Sequence, residues 1–143
     1  MKDAAILAPV LTQALLTIAV LILLGPARAR SMRETRTRLD DPSLANGTSP
    51  WSDQATRISN NFKNQFELPV LFYAVTAFAL ILHQADATMI QLAWAFVAAR
   101  VGHAGFHITQ NVIRARGIFF MIGLAILIAM WVRLGWRVLA AGV

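Results

Sequence analysis

"RISNNFKNQFELPVLFY", residues 57–73, begins as a polar helix and ends as a membrane span, with Glu67 and Pro69 at the join. Arg57, Asn61, Asn64 and Glu67 follow one another at steps of four, three and three, so on a helix they share one face. That face runs into apolar sequence. A polar stripe entering hydrocarbon has to be met by polar groups on another helix, because facing lipid it would cost several kcal/mol.

The rest of the chain is that of a membrane protein. It has 143 residues, 57% hydrophobic and only 14% charged, with a mean hydropathy of +0.58, far from an average soluble domain. The run Ala4–Gly25 is long enough to cross about 30 Å of hydrocarbon at about 1.5 Å per residue. Lys2 is offset by Asp3, and the run exceeds the roughly 7–15 apolar residues of a cleavable signal, so it reads as a retained span. Further apolar runs lie at Leu68–His83, Ala87–Phe106 and Gly117–Val132. The expected fold is a single all-α domain, a four-transmembrane-helix bundle with spans near 4–25, 54–83, 87–113 and 117–138 and one long loop, 26–53. Ser49 is the expected N-cap of the second helix, with Pro50 in its first turn. The short Gln84–Ala87 connection makes helices two and three an antiparallel hairpin. Pro9 and Pro69 read as tolerable kinks.

Basic residues orient the bundle. Arg28, Arg30, Arg33, Arg36, Arg38, Arg57 and Lys63 surround the first loop, and Arg114 and Arg116 the third connection. The positive-inside rule puts both on the cytoplasmic side and both termini outside, against the weaker pull of Arg133 and Arg137. This is a multi-pass integral membrane protein, of the inner membrane if the source is bacterial. The net charge of +6 lies beside membrane spans with no nucleic-acid motif, so anionic membrane lipids, not nucleic acid, are its expected partners. The Asn46–Thr48 "NGT" is formally a glycosylation acceptor but would go unused on a cytoplasmic loop. Zero cysteines exclude disulfides, thiol catalysis and thiolate metal sites. Trp51, Trp131 and Trp136 read as interface markers, and Phe72, Phe78, Phe96, Phe119 and Phe120 as packing residues.

Helix three carries a second stripe: Arg100, His103, His107, Gln110 and Arg114 at steps of three, four, three and four. With the expected topology, both stripes lie at the same depth and face each other. Glu67 and Arg100 could simply form a buried ion pair that fixes register, with the asparagines as interhelical hydrogen bonds. That reading leaves Arg57, Arg100 and Arg114 facing one acid, a cationic excess that suits an anionic ligand. His103 and His107 alone, without cysteine and with a single nearby carboxylate, make a poor metal site, and none is expected.

On these residues the sequence resembles the MAPEG family, the membrane-associated proteins of eicosanoid and glutathione metabolism. Its first motif, an arginine followed by Asn-x-x-Glu and a proline, matches Arg57, "NQFE" at Asn64–Glu67, and Pro69. Its second, Arg-x-x-His/Tyr-x-x-x-Tyr followed by a basic residue at the start of helix four, matches "RVGHAGFH" at Arg100–His107 with Arg114 or Arg116. Two departures stand out. Asn60 occupies the place of a second family arginine, leaving Lys63 the nearest basic substitute, and His107 stands where many members have tyrosine. The resemblance implies a homotrimer with glutathione between neighbouring subunits. Asn64, Glu67, Arg100 and His103 would bind it as co-substrate, supported by Arg57, Lys63 and His107.

Glutathione would account for one acid among many bases, because arginines pair its two carboxylates while Glu67 pairs its ammonium. An arginine at the start of helix four, aided by that helix's dipole, would favour its thiolate for attack on a lipophilic electrophile or hydroperoxide. If helix three ran on unbroken, Arg114 would return nearly to the face of Arg100, with Arg116 rotated by about 200° from it. Arg114 is therefore the expected thiolate partner. The expectation of an enzyme, a glutathione transferase or peroxidase, competes with a non-enzymatic structural or partner subunit and with a small anion-binding transporter. A bilayer-facing apolar slot favours the enzyme, and a continuous polar path favours transport.

Overall fold

The computed structural model describes residues 3–38, 41–42, 51–108 and 113–141. After a 3-10 turn, Asp3–Ile6, come α1 (Leu7–Thr35), α2 (Asp53–Asn64), α3 (Leu68–Ile81), α4 (Ala87–Ile108) and α5 (Ile113–Ala141). There is no strand among the described residues. Because α2 and α3 follow each other through a tight turn, the architecture is the expected all-α four-helix bundle. Three helical stretches, Ala4–Thr35, Asp53–Ile81 and Arg114–Ala140, are long and apolar enough to span a membrane. The remaining helix, α4, has 22 residues, enough to match them in length, but carries Arg100, His103 and His107 on its buried face.

The first helix does not end at Gly25. It continues through Pro26 to Thr35, so the expected loop 26–53 begins as helix. Ala27, Arg28, Arg30, Met32, Arg33 and Glu34 are good helix formers, and the Arg30–Glu34 pair at 2.7 Å adds an i,i+4 contact. Arg36 closes the helix in the left-handed region, φ 56°, its N–H bonding Met32 O. The N-cap of α2 is Ser52, three residues beyond the expected Ser49. Its Oγ accepts from Ala55 N at 3.5 Å. Ser49, Pro50, the Asn46–Thr48 sequence and Gln110 lie outside the described residues. Polar contacts fasten α2 to the extended end of α1: Ser52 N donates to buried Ser31 Oγ at 2.6 Å, and Arg28 donates to Ser59 Oγ at 3.2 Å. Trp51, which reads as an interface marker, lies under the Arg28 guanidinium, 5.5 Å from its ring centroid.

The second span, expected as one helix over 54–83, is interrupted. Pro69 has no N–H for the carbonyl four residues earlier, and Glu67 sits at φ −93°, ψ −99°, outside the helical region. The α4–α5 hairpin is the most intimate pair in the bundle. A Cβ built on Gly102 would lie 2.6 Å from a ring carbon of Phe119, whose ring stacks on Phe106 with centroids 5.5 Å apart. The main core lies towards the 82–86 turn. There Phe72 and Phe96 stack at 4.5 Å among Ile6, Val75, Met89, Leu127 and Met130. Residues such as Leu11, Leu15, Ile22, Ile118 and Val132 point outward, as a bilayer-facing surface requires.

Asp86 ties off that end. Its Oδ1 accepts from Met89 N at 2.9 Å, capping α4, while Oδ2 binds both Arg133 and, at 2.6 Å, Arg137. The Arg133 hydrogen bond holds the Asp86 carboxyl below the usual aspartate range.

Candidate functional site

At the opposite end, where α1 and α2 are fastened together, Asp53, Thr56, Arg57, Asn60, His107 and Arg116 line a polar cleft of about 250 Å³. Arg57 comes from the outer half of α2, His107 from the last turn of α4 and Arg116 from the first turn of α5. Beneath them lies a buried layer whose hydrogen bonds follow from where α2 stops. Asn64 is its last helical residue, so its carbonyl has no partner within the helix, and Arg100 Nη2 supplies one at 2.9 Å.

The Asn64 side chain meets the second stripe: its Nδ2 is 3.3 Å from His103 Nε2. His103 Nδ1 in turn donates to the carbonyl of Arg116 at 3.1 Å, which fixes the Nδ1–H tautomer and leaves Nε2 as the acceptor. Arg116 Nη1 donates to His107 Nε2 at 3.1 Å, so His107 also carries its proton on Nδ1. One residue of α5 thus holds two histidines of α4 through its backbone and its side chain. The His107 Nδ1–H, together with Nε and Nη1 of the fully buried Arg100, has no partner among the described residues.

A second buried chain supports the break in the span. Gln13 Nε2 donates to Gln65 Oε1 at 3.0 Å, Gln65 Nε2 to Asn61 Oδ1 at 3.2 Å, and Asn61 Nδ2 to Ala104 O at 3.4 Å. All three amides are at most 1% exposed, and they link α1, the 65–67 turn and α4. Gln13 and Gln65 escape a reading based on charged stripes, because a lone amide in an apolar run carries no period. An uncharged but hydrogen-bonding residue in the middle of a span is the signal that was available.

Of the expected site residues, the structure brings together Arg57, Asn64, Arg100, His103, His107 and Arg116. It leaves out three. Lys63 and Glu67 are exposed, and Arg114 lies on the outside of α5. The buried Glu67–Arg100 ion pair is absent among the described residues: α2 ends before Glu67, which leaves the stripe, and Arg100 takes a carbonyl instead. The preference for Arg114 over Arg116 fails on geometry as well. Helix α4 does not run on through both arginines; α5 packs back against α4, and it is Arg116 that turns inward. Arg114 instead edges an open apolar groove of about 490 Å³ with Gly117, Ile118, Met121 and Ile122.

The model of the MAPEG family matches residues 6–136, nearly the whole chain. The chain belongs to the MAPEG family. Comparison with curated proteins and with solved structures gave no match. In this MAPEG protein the two motif segments meet through Asn64 and His103 and through Arg100 and the Asn64 carbonyl. Arg116 joins them through its carbonyl, which accepts from His103, and its guanidinium, which donates to His107.

Proposed function

We propose that the protein is an integral membrane glutathione-dependent transferase or peroxidase acting on lipophilic electrophiles or lipid hydroperoxides, assembled as a homotrimer. The observation that carries this reading is the set of buried donors that meet no acceptor among the described residues: Arg100 Nε and Nη1 and His107 Nδ1. Leaving a buried donor unmade costs about 1–3 kcal/mol, more for a charged group, so three together favour a ligand that brings anionic oxygen or sulfur. Glutathione has two carboxylates and a thiol that can be held as thiolate. Arg116, in the first turn of α5, adds a fixed positive charge and a helix N-terminus for that thiolate. Glu67, exposed on a single chain, would face a neighbouring copy and pair the ammonium of a glutathione held between the two.

The thiolate sulfur attacks the electrophilic carbon, and the leaving group departs with its bonding pair. With a hydroperoxide it attacks the terminal oxygen and the O–O bond breaks. The alkoxide takes a proton to become the alcohol, and the sulfenic acid formed condenses with a second glutathione thiol to give disulfide and water. The Ile118–Met121–Ile122 groove, beside the cleft on the bilayer-facing side of α5, suits the lipophilic partner. The core around Phe72, Phe96 and Met130 is closely packed with apolar side chains, which weighs against transport.

Calorimetric titration of the detergent-purified protein with glutathione tests the reading, followed by turnover with a lipophilic electrophile. Saturable binding that weakens in Arg100→Met is the expected result. No heat and no turnover at millimolar glutathione would leave the structural-subunit alternative in its place.

A further inference from the structure

Ser31 lies outside the polar cleft, fully buried in the part of α1 that continues beyond Pro26. Its Oγ accepts from Ser52 N at 2.6 Å. Ser52 is the N-cap of α2, and the residues of that helix that line the cleft, Asp53, Thr56, Arg57 and Asn60, follow directly behind it. A helix start commonly closes on itself: in a capping box the side chain three positions after the N-cap reaches back to accept from the N-cap N–H. Here that position is Ala55, which is buried against the bundle and has no acceptor to offer. The half of the box that α2 does supply, Ser52 Oγ accepting from Ala55 N, is long at 3.5 Å. Ser31 takes the place of the missing side chain, from another helix and with the shorter bond of the two.

We infer that Ser31 is a positioning residue for the polar cleft, acting through the N-cap of α2. With only 12 residues, α2 is too short to hold its own shape in isolation, so its contacts decide how it lies. Near its far end Asn61 Nδ2 donates to Ala104 O at 3.4 Å. Between the ends Ile58 packs with Val20 and Leu24 of α1, a contact without directional preference. The two hydrogen-bonded ends therefore set the tilt of α2, and with it the place of Arg57 opposite Arg116 in the cleft. Arg28 adds a strut to Ser59 at 3.2 Å, but on the exposed side, where water competes for it. Ser31 is sealed from water, and its loss takes from Ser52 N–H an acceptor that water does not readily replace. The helical run past Pro26 thereby acquires a purpose, since it is what carries Ser31 to the start of α2. The consequence for ligand affinity rests on the glutathione reading; the contact itself does not.

Ser31→Ala removes one oxygen and adds no bulk. Hydrogen–deuterium exchange of the unliganded, detergent-purified full chain reads the helix start directly. The amides of Ser52, Ala55 and Thr56, bonded in the wild type to Ser31 Oγ, Ser52 Oγ and Ser52 O, should exchange about tenfold faster in the variant, while those of α4 keep their rates. Glutathione titrated into the same variant should bind about three- to tenfold more weakly. Its apparent KM should rise in step, with the KM for the lipophilic partner unmoved. Thr35→Ala, which deletes an exposed hydroxyl bonded to the Ser31 carbonyl within α1, should match the wild type in both measurements. Unchanged exchange at the start of α2 in Ser31→Ala would overturn the positioning role, as would faster exchange with glutathione bound as tightly as before. A wild type that takes up no glutathione counts against the proposed ligand alone, because the exchange rates still decide whether Ser31 holds the cleft-lining turn.

Discussion

Arg116 donates from Nη1 to His107 Nε2 at 3.1 Å while its own carbonyl accepts from His103 Nδ1 at 3.1 Å, so a single residue of α5 fixes the tautomers of two histidines of α4. The side chain can be removed without disturbing the carbonyl. Arg116→Ala should therefore lower the conjugation rate and the glutathione-thiolate absorbance, by on the order of 10²-fold in rate if the guanidinium stabilises developing anionic charge. Glutathione binding should be largely kept. Arg114→Ala should leave the thiolate signal intact and act, if at all, on the apparent KM for the lipophilic partner. Equal losses in the two variants would contradict the assignment.

Glu67 tests how far one chain's structure accounts for its role. It is exposed and has no ion pair among the described residues, so Glu67→Gln and Glu67→Leu should both leave melting of the dissociated chain within about 0.5 kcal/mol of wild type. Both should weaken glutathione binding to the assembled protein. A large drop in melting for Glu67→Leu alone would restore the buried pair with Arg100.

In the amide chain, Gln65 both accepts from Gln13 and donates to Asn61, whereas Gln13 makes one of these bonds. Gln65→Leu strands two buried partners and Gln13→Leu one, so thermal melts in detergent should rank Gln65→Leu as the more damaging. Each lost bond should cost about 0.6–2 kcal/mol in a membrane setting. The reverse order would show that the chain is not what holds the 65–67 turn.

Gly102→Ala should destabilise by about 1–3 kcal/mol, because the new methyl meets the Phe119 ring at 2.6 Å and that ring is already stacked on Phe106. Combining it with Phe119→Leu should recover part of the loss in the same melting assay. If the pair is no better than the single variant, the close approach is not the cause.

Asp86 gives a pH dependence whose sign is fixed. Its folded-state carboxyl titrates below the ordinary aspartate range, chiefly through Arg133. The stability it contributes is therefore fully present above the unfolded value near 3.9 and disappears as pH falls through the depressed folded value. The melting difference between wild type and Asp86→Asn should be constant from neutral pH down to about 5 and shrink towards zero in stronger acid. A difference that grew on acidification would exclude this origin.

Much of this architecture was legible from hydrophobic run lengths, because the bilayer demands about 20 apolar residues per span and leaves little else to decide. The pairing of the two stripes was legible too: Asn64 meets His103, and Arg100 meets the end of α2. What failed were extrapolations of period across a break. Glu67 drops off the stripe because α2 has already ended at Asn64, and Arg114 misses the site because α4 and α5 are separate helices. Pro26 suggested a loop, yet nine more helical residues follow, since the helix-forming side chains beyond it outweigh one missing hydrogen bond. Gln13 and Gln65 carry no charge and share no period, so nothing short of the packed structure pairs them.

The polar cleft lies at the end of the bundle where α1 and α2 are fastened together, while the Ile118–Ile122 groove lies on the outer, apolar surface of α5. Two reactants drawn from these sides would be dissolved in different phases and measured on different scales. The thiol would saturate the protein according to its molarity in water. The lipophilic partner would do so according to its mole fraction in the surrounding amphiphile, so adding empty micelles at fixed total substrate should slow turnover by surface dilution and leave the thiol titration unmoved.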